Sequence, residues 1–542
     1  MKKIFLPLVM SGCAMIAACS PETPTEKNNF DDVYASITPE KIAPALKTLA
    51  SDEFEGRLPT TEGERKTLDY LTKEFKRMGL KPGNGDSYLQ EVALMEITAD
   101  PNMSMTIGDN EFVYKTDMVA SSKREQSVVS LEDSELVFVG YGVNAPEYGW
   151  NDYEGLDVAG KTVVILVNDP GFENPESGKF QGTTMTYYGR WSYKYEEASR
   201  QGAAGAIIVH ETAPASYGWS VVANSWSGPQ YGLVSPDKGA SRVAVEGWLT
   251  LEAATKVFAD AGLDFSAEKA KAMQGPYSKA LGQSMTVTVN NTFKASKSYN
   301  VLATLPGTEK PDEHVIYTSH WDHLGKDESL EGDQIYNGAH DNATGTAAAL
   351  VMAEAFTQLT PAPKRSISFL IVTAEEQGLL GSKYYADNPV IPLNKTVANI
   401  NMDAMNVLGK TKDVAVIGMG KSDLEQELTV AAQRQGRVLA QEDRPEAGYY
   451  YRSDHFSFAK AGVPALYAKG GKEPFDEATA KYRKHMKVVV TGCYHQVCDK
   501  FRDGWDLSGI SQDTQLLMEV GYMVANKEAW PTWSESSEFQ RP

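Results

Sequence analysis

From Met285 onwards the chain repeats one pattern: a short apolar run, a loop, then a longer stretch with helical character. The runs Val315–Thr318, Ile367–Val372, Val397–Asn401 and Val414–Ile417 are short and rich in β-branched residues, which reads as buried strands. Thr344–Leu359, Leu424–Gln435 and Ile510–Asn526 read as helices. Such alternation restricts this part of the chain to an α/β domain. Open α/β sheets place their ligand sites at the carboxyl ends of the strands, so the residues just past each run are the ones to inspect.

Each run ends on side chains that carry chemistry. The first leads into Ser319-His320-Trp-Asp322-His323, and a loop then reaches Gly338-Ala-His-Asp341-Asn-Ala-Thr-Gly345. The second leads to the adjacent pair Glu375-Glu376, the third to Asn401-Met-Asp403, and Cys493-Tyr-His495-Gln-Val-Cys498 comes much later. Seven of the eight histidines lie beyond residue 313, so they concentrate in this segment. An isolated Glu-Glu is ordinarily a solvated loop pair. Here the neighbouring carboxylates repel, which demands a nearby cation or a shared proton. His320, Asp341, Glu376, Asp403 and His495 can converge on one sheet edge. Two histidine nitrogens and several carboxylate oxygens form the ligand set of a catalytic zinc site with open positions. There are enough for two ions with Asp341 as a bridge, and the cations would relieve the repulsion.

A chain of 542 residues exceeds one ordinary domain, and 42% hydrophobic residues suffice for a sizeable core. The net charge of −20 excludes a nucleic-acid partner, which needs a basic stripe. Lys2 and Lys3, the apolar run Ile4–Ala18 and the sequence Ile16-Ala-Ala-Cys19 resemble a bacterial lipoprotein signal, with residues 1–18 as leader and Cys19 as the lipidated residue. Ser11-Gly-Cys13 is a weaker competing site, and an ordinary secretory peptide is the plain alternative. Residues 19–37, polar and Pro-rich at their start, are expected to be a flexible tether. The expected location is the cell envelope, facing the periplasm or exterior, with membrane contact through the lipid alone. Cys493 and Cys498 are then the two thiols left, and an oxidising compartment predicts a disulfide between them.

Residues 38–129 read as the first part of the catalytic unit. Ile42, Leu46 and Leu49, then Leu68, Leu71, Phe75 and Met78, recur at helical spacing around the turn Asp52–Arg57. Residues 130–285 carry their own strands and helices and are expected to form an inserted β-rich domain. The catalytic unit resumes over 286–542.

His320-Trp-Asp322, Gly338–Gly345, Glu375-Glu376-Gln-Gly-Leu-Leu-Gly-Ser382, Asn401-Met-Asp403, Ser453-Asp-His455 and Tyr494-His495 together resemble the di-zinc peptidases of metallopeptidase family 28. The resemblance implies a mixed-sheet exopeptidase domain with helices on both faces, and the insert resembles a protease-associated domain. It implies two zinc ions, one on His320, Asp341 and Asp403 and one on Asp341, Glu376 and His495. Glu375 would be the general base, Asp322 would orient His320, and Tyr450 or Tyr494 would steady the oxyanion. The expected activity is an aminopeptidase acting on peptides. A carboxypeptidase, which would need a cationic pocket such as Arg452 could supply, is the alternative. A glutaminyl cyclase-like acyltransferase and a non-catalytic binding protein are further rivals. Thr344 stands where the family usually has Ser.

The remaining candidates have bland readings. His323, His340 and His455 match no ligand position and read as packing or surface residues. Tyr449, Tyr450 and Tyr451 could be a core strand. Tyr187, Tyr188, Trp191, Tyr193, Tyr195, Trp219 and Trp226 read as core of the insert, or more sharply as a wall of the substrate cleft.

Overall fold

The structure is a computed structural model that describes residues 1–2, 28–535 and 537–541. Cys19, most of the leader and the first part of the tether lie outside the described residues. In this structure the alternation beyond Met285 becomes a mixed sheet. Arg365–Val372, Lys310–His320, Thr396–Asn401 and Ala465–Gly470 lie side by side in parallel. Asp413–Val416 runs antiparallel beyond Ala465–Gly470 and pairs in parallel with Val438–Gln441. On the other side Lys279–Leu305 and then Leu89–Ala99 add antiparallel strands.

The central parts of the four parallel strands are buried because both faces are covered. Val315, Tyr317, Ile367, Phe369 and Ile371 point into the larger core, with helices Pro39–Leu49, Thr344–Thr357 and Ser508–Asn526. Ile316, Leu370 and Val372 point the other way, onto Tyr385 and Phe458 of helices Leu380–Asp387 and His455–Lys460. The two-residue alternation of a strand thus sorts one run of sequence onto two helical layers.

A second core gathers residues from Met103 to Val289. Its strands Val128–Phe138, Thr162–Leu166, Gly205–His210 and Val245–Thr250 are parallel, with Met118–Ser121 antiparallel at the edge. Two expected boundaries therefore shift. Strands Ser104–Ile107, Asn110–Val113 and Met118–Ser121, expected in the catalytic unit, pack with the insert. The boundary at 285 falls inside Lys279–Leu305, a single strand that serves both sheets. The tether also ends earlier than expected: Phe30–Ala35 is a helix, and Phe30 packs on Tyr522 with ring centroids 4.5 Å apart. Among the described residues, no helix is long and apolar enough to cross a membrane.

Candidate metal centre

Strand geometry delivers the ligands to one edge. His320 is the last residue of its strand and pairs in register with Val372, three positions before Glu375. Thr318 pairs with Asn401, two positions before Asp403. Asp341 arrives on the irregular turn Ala339–Ala343 that leads into helix Thr344–Thr357. Gly338 makes that turn possible. Its φ is +55°, and a Cβ there would stand 2.4 Å from the Asp341 carbonyl and 2.5 Å from the His323 ring. His495 comes from the loop closed by the Cys493–Cys498 disulfide, whose Cα atoms are 5.2 Å apart.

The expected ligands meet around Asp341. His320 Nε2 stands 3.2 Å from one Asp341 oxygen and 3.4 Å from Asp403. His495 Nε2 stands 3.4 Å from the other Asp341 oxygen and 2.9 Å from Glu376. Glu375 lies 3.9 Å from His320 Nε2. Three trios bring one ligand atom each within 4.8 Å of one another: His320, Asp341 and Asp403; His320, Glu375 and Glu376; His323, Asp341 and Glu376. His320 Nε2 and His495 Nε2 are buried, yet neither has an aligned hydrogen bond. The nitrogens face several oxygens without pointing at any one of them. Two ligands about 2.0–2.2 Å from a shared tetrahedral ion stand roughly 3.3 Å apart, so the donor set fits zinc.

A second layer fixes these side chains. His320 Nδ1 lies 3.2 Å from the carbonyl of Asp322. A carbonyl can only accept, so Nδ1 carries the hydrogen and Nε2 keeps its lone pair. Asp322 thus meets His320 through its backbone carbonyl, while its nearest carboxylate oxygen is 3.8 Å from Nδ1. That carboxylate instead accepts the backbone N–H groups of Glu375 at 3.1 Å and Glu376 at 3.3 Å, which ties the two strand ends together. Asp499 accepts the N–H groups of His340 and Asp341. Ser453 donates to Asp403 at 2.6 Å. Arg57, wholly buried, donates to the carbonyls of Leu49, Trp321, Asn337 and Gly338, and so clamps both candidate ligand loops to the end of helix Pro39–Leu49.

Charge in the cluster is unbalanced. Burial, with Glu376, Asp454 and Asp403 close by, pushes the Glu375 carboxyl well above its usual range despite His320. Burial and Asp341 push Glu376 upward, but His323 and His495 overcome them and hold it at about 2. Burial opposes the charge on His495, and Glu376 and Asp341 nevertheless raise it to about 10. The carboxylates favour a positive charge among them, and a divalent cation would supply it while leaving the imidazole nitrogens free to ligate.

Sequence reasoning missed His323. It is fully buried, and its Nδ1 donates to Glu376 at 2.5 Å. Tyr494 stacks on His495 with centroids 3.8 Å apart and remains exposed. Tyr449–Tyr451 is a single helical turn, not a strand. Tyr450 packs against His455 and Phe539, with Lys421 over its ring and no hydrogen bond to its buried hydroxyl. The tyrosine whose hydroxyl reaches a ligand residue is Tyr467, 3.0 Å from the carbonyl of Asp403.

Residues 300–519 match the family described as Peptidase family M28. This segment, which holds all five candidate ligands and Glu375, belongs to that family. Aminopeptidase NAALADL1 of Mus musculus is 35% identical over 127 residues, 22% of this chain and 16% of that one. The leupeptin-inactivating enzyme 1 of Streptomyces exfoliatus is 28% identical over 211 residues, 38% of this chain and 44% of that one. The chain thus spans less than half the length of these two curated relatives. A probable leucine aminopeptidase 2 of Aspergillus oryzae is 25% identical over 443 residues, 80% of this chain and 73% of that one. Among solved structures, an aminopeptidase from Aneurinibacillus sp. strain AM-1 shares the fold. Its TM-score is 0.53 at 21% identity, covering 95% of this chain and 100% of that one.

Proposed function

We propose that this chain is a zinc aminopeptidase with two ion sites, one on His320, Asp341 and Asp403 and the other on Asp341, Glu376 and His495. The observation that carries this reading is the spacing around Asp341. Two buried imidazole nitrogens face its two oxygens at 3.2 and 3.4 Å, each with a further carboxylate beside it. When bound, the ions supply Lewis acidity that polarises a scissile carbonyl and makes a water acidic.

The chain's own residues do the rest. Glu375 takes the proton of the attacking water and passes it to the departing amine, a role that needs a carboxylate held against the centre. The backbone bond from Glu375 to Asp322 holds it there. Ser453 and the Asp322 carbonyl orient Asp403 and His320. Tyr494, stacked on His495, is the candidate oxyanion donor, because the Tyr467 hydroxyl already donates to the Asp403 carbonyl. The choice of the amino terminus rests on the relatives named as aminopeptidases. The lipid attachment at Cys19 and the envelope location belong to the same proposal. The Cys493–Cys498 bridge agrees with an oxidising compartment.

The test is a panel of free, N-acetylated and C-amidated peptides offered to zinc-loaded protein, with metal counted by mass spectrometry. The expected result is two zinc ions per chain and no cleavage after N-acetylation. Cleavage of acetylated peptides that disappears on C-amidation would make the enzyme a carboxypeptidase. Loaded protein that cleaves none of them would overturn the reading.

A further inference from the structure

We propose that Lys421 and Glu538 are positioning residues for the metal centre: as a buried ion pair they lock the turn Tyr449–Tyr451 and, through it, the Ser453 hydroxyl that orients Asp403. The inference rests on the zinc reading above and adds to it the stretch of chain around Glu538.

Lys421 sits in a cage. Its Nζ stands 2.9 and 2.8 Å from the two Glu538 oxygens, and the two side chains are 10% and 8% exposed. Three rings surround the ammonium, Tyr450 at 5.0 Å, Tyr451 at 5.6 Å and Phe539 at 5.7 Å. All three lie within the roughly 6 Å over which a ring face attracts a cation. The Tyr451 hydroxyl donates to Glu538 at 2.6 Å. Burial works against the Glu538 charge, and Lys421 overcomes it and holds the carboxyl below its usual range. Apolar side chains of similar volume are often as stable as a buried ion pair, so stability alone does not account for this one. Geometry does: one ammonium held between two oxygens and three rings fixes where the turn sits.

The turn is pressed from its other sides as well. A Cβ on Gly418 would stand 2.2 Å from the Tyr450 ring, and one on Gly448 would stand 2.5 Å from Met185 Sδ of the insert. Phe539 packs on Tyr450 and on Phe456, both at 6.1 Å, and Tyr187 of the insert packs on Tyr451 at 6.0 Å. The main chain beside the cage is pinned too. Ser534 N–H donates to the Lys421 carbonyl at 2.8 Å, and Trp533 Nε1 donates to the Gly462 carbonyl at 3.0 Å.

From the turn the chain leads straight to the centre. Only Arg452 separates Tyr451 from Ser453, and the Tyr450 ring meets His455 at 4.5 Å. Between these contacts Ser453 accepts from Asn401 Nδ2 at 2.7 Å and donates to Asp403 Oδ2 at 2.6 Å. The other Asp403 oxygen then faces His320 Nε2 at 3.4 Å. A shift of the turn moves the Ser453 hydroxyl, and with it the direction in which Asp403 presents that oxygen.

The experiment measures zinc affinity of the full chain by chelator competition, for wild type, Lys421→Met, Lys421→Arg and Glu538→Gln. Groups behind metal ligands typically set affinity by about 10–100-fold, so Lys421→Met and Glu538→Gln should each lose about tenfold. The loss should fall on the binding step that Asp403→Asn weakens and spare the step that Glu376→Gln weakens. Lys421→Arg keeps the charge and stacks on the same rings, so it should restore most of the affinity. Lys527→Met, which removes the Lys527–Glu427 ion pair elsewhere on the unit, is the control and should bind zinc as wild type does. Hydrogen exchange without zinc reads the turn itself: the amides of residues 449–455 should exchange faster in Lys421→Met and Glu538→Gln than in the control. Wild-type affinity in both variants would overturn the proposal, as would equal loss at both binding steps or unchanged exchange over 449–455. Should Lys421→Met fail to fold, Glu538→Gln, which keeps the shape of its side chain, decides the matter. Neither readout uses turnover, so a wild type that binds zinc and cleaves no peptide would sink the peptidase reading alone.

Discussion

Asp499→Asn isolates the layer behind the ligands. Asp499 lies directly after Cys498, and its carboxylate accepts the His340 N–H at 2.9 and 3.1 Å and the Asp341 N–H at 3.1 Å. It is 4% exposed, so water cannot replace it. One side chain thereby fixes the turn that presents Asp341 and anchors the loop that presents His495. Asparagine keeps the shape but offers one oxygen and one NH₂, so one backbone N–H faces a donor. A hydrogen bond to a charged group contributes about 1.5–3 kcal/mol, and a buried unsatisfied donor costs about 1–3 kcal/mol. The expected loss is therefore roughly 2–4 kcal/mol. Part of it appears as weaker metal binding, since residues behind metal ligands typically set affinity by about 10–100-fold. The assay is zinc competition against a chromophoric chelator, with thermal melting alongside. Asp503→Asn serves as the control, because that carboxylate is 90% exposed. Wild-type zinc affinity and wild-type melting in Asp499→Asn would refute the argument.

Glu375→Gln should keep both zinc ions and lose about 10²–10⁴ in kcat, as removal of a positioned general base does. Near-normal kcat with metal content confirmed would exclude Glu375 from proton transfer. Asp341→Asn should lose more zinc on dialysis than Asp403→Asn, because only Asp341 faces both histidines; retention of two ions, measured by mass spectrometry, would sink the bridging role. Replacing Cys493 and Cys498 with Ser should lower stability by about 2 kcal/mol, the chain-entropy value for so short a loop. It should also empty the His495 site first; an unchanged melting curve and zinc content would rule this out. Arg57→Lys should lower the melting temperature, because a point ammonium cannot serve the four carbonyls that the guanidinium reaches. An unchanged melting temperature would show that the clamp is redundant.

The catalytic sheet is legible in the sequence because its strands are short, β-branched runs and its helices carry a 3.6-residue repeat, both local properties. The convergence of His320, Asp341, Glu376, Asp403 and His495 is legible for a related reason. A parallel sheet sends its strand ends to the same edge, which locates His320, Glu376 and Asp403, whereas Asp341 and His495 arrive on a turn and a disulfide-closed loop and show through their motifs instead. The insert's limits are not legible. Lys279–Leu305 is one unbroken strand that leaves one sheet and enters the other, and at the crossing Asn290-Asn291 the chain stays extended where such a pair would suggest a turn. The start of the second core at Met103 is hidden similarly, because Ser104–Val113 forms a hairpin whose partner strand lies about 180 residues later.

The site's inner partners fail to show in sequence for a different reason. His323 donates to Glu376 from 53 residues away, and Asp499 holds Asp341 across 158. No spacing rule links such pairs. The tyrosines show how near the signal comes. Tyr450 is attractive because it precedes Ser453 by three positions, yet one helical turn carries its ring into an aromatic cluster with Phe539. Tyr467 lies in Ala465–Gly470, a strand absent from the runs that the sequence singles out. Even with this run assigned as a strand, parallel pairing with Thr396–Asn401 leaves its register open. The register Asn401 to Tyr467 puts this ring level with the strand end that leads to Asp403. A slip of one residue would turn the ring to the opposite face of the sheet. The hydroxyl contact to Asp403 is therefore a property of register, which the packing of both faces sets and the local sequence does not.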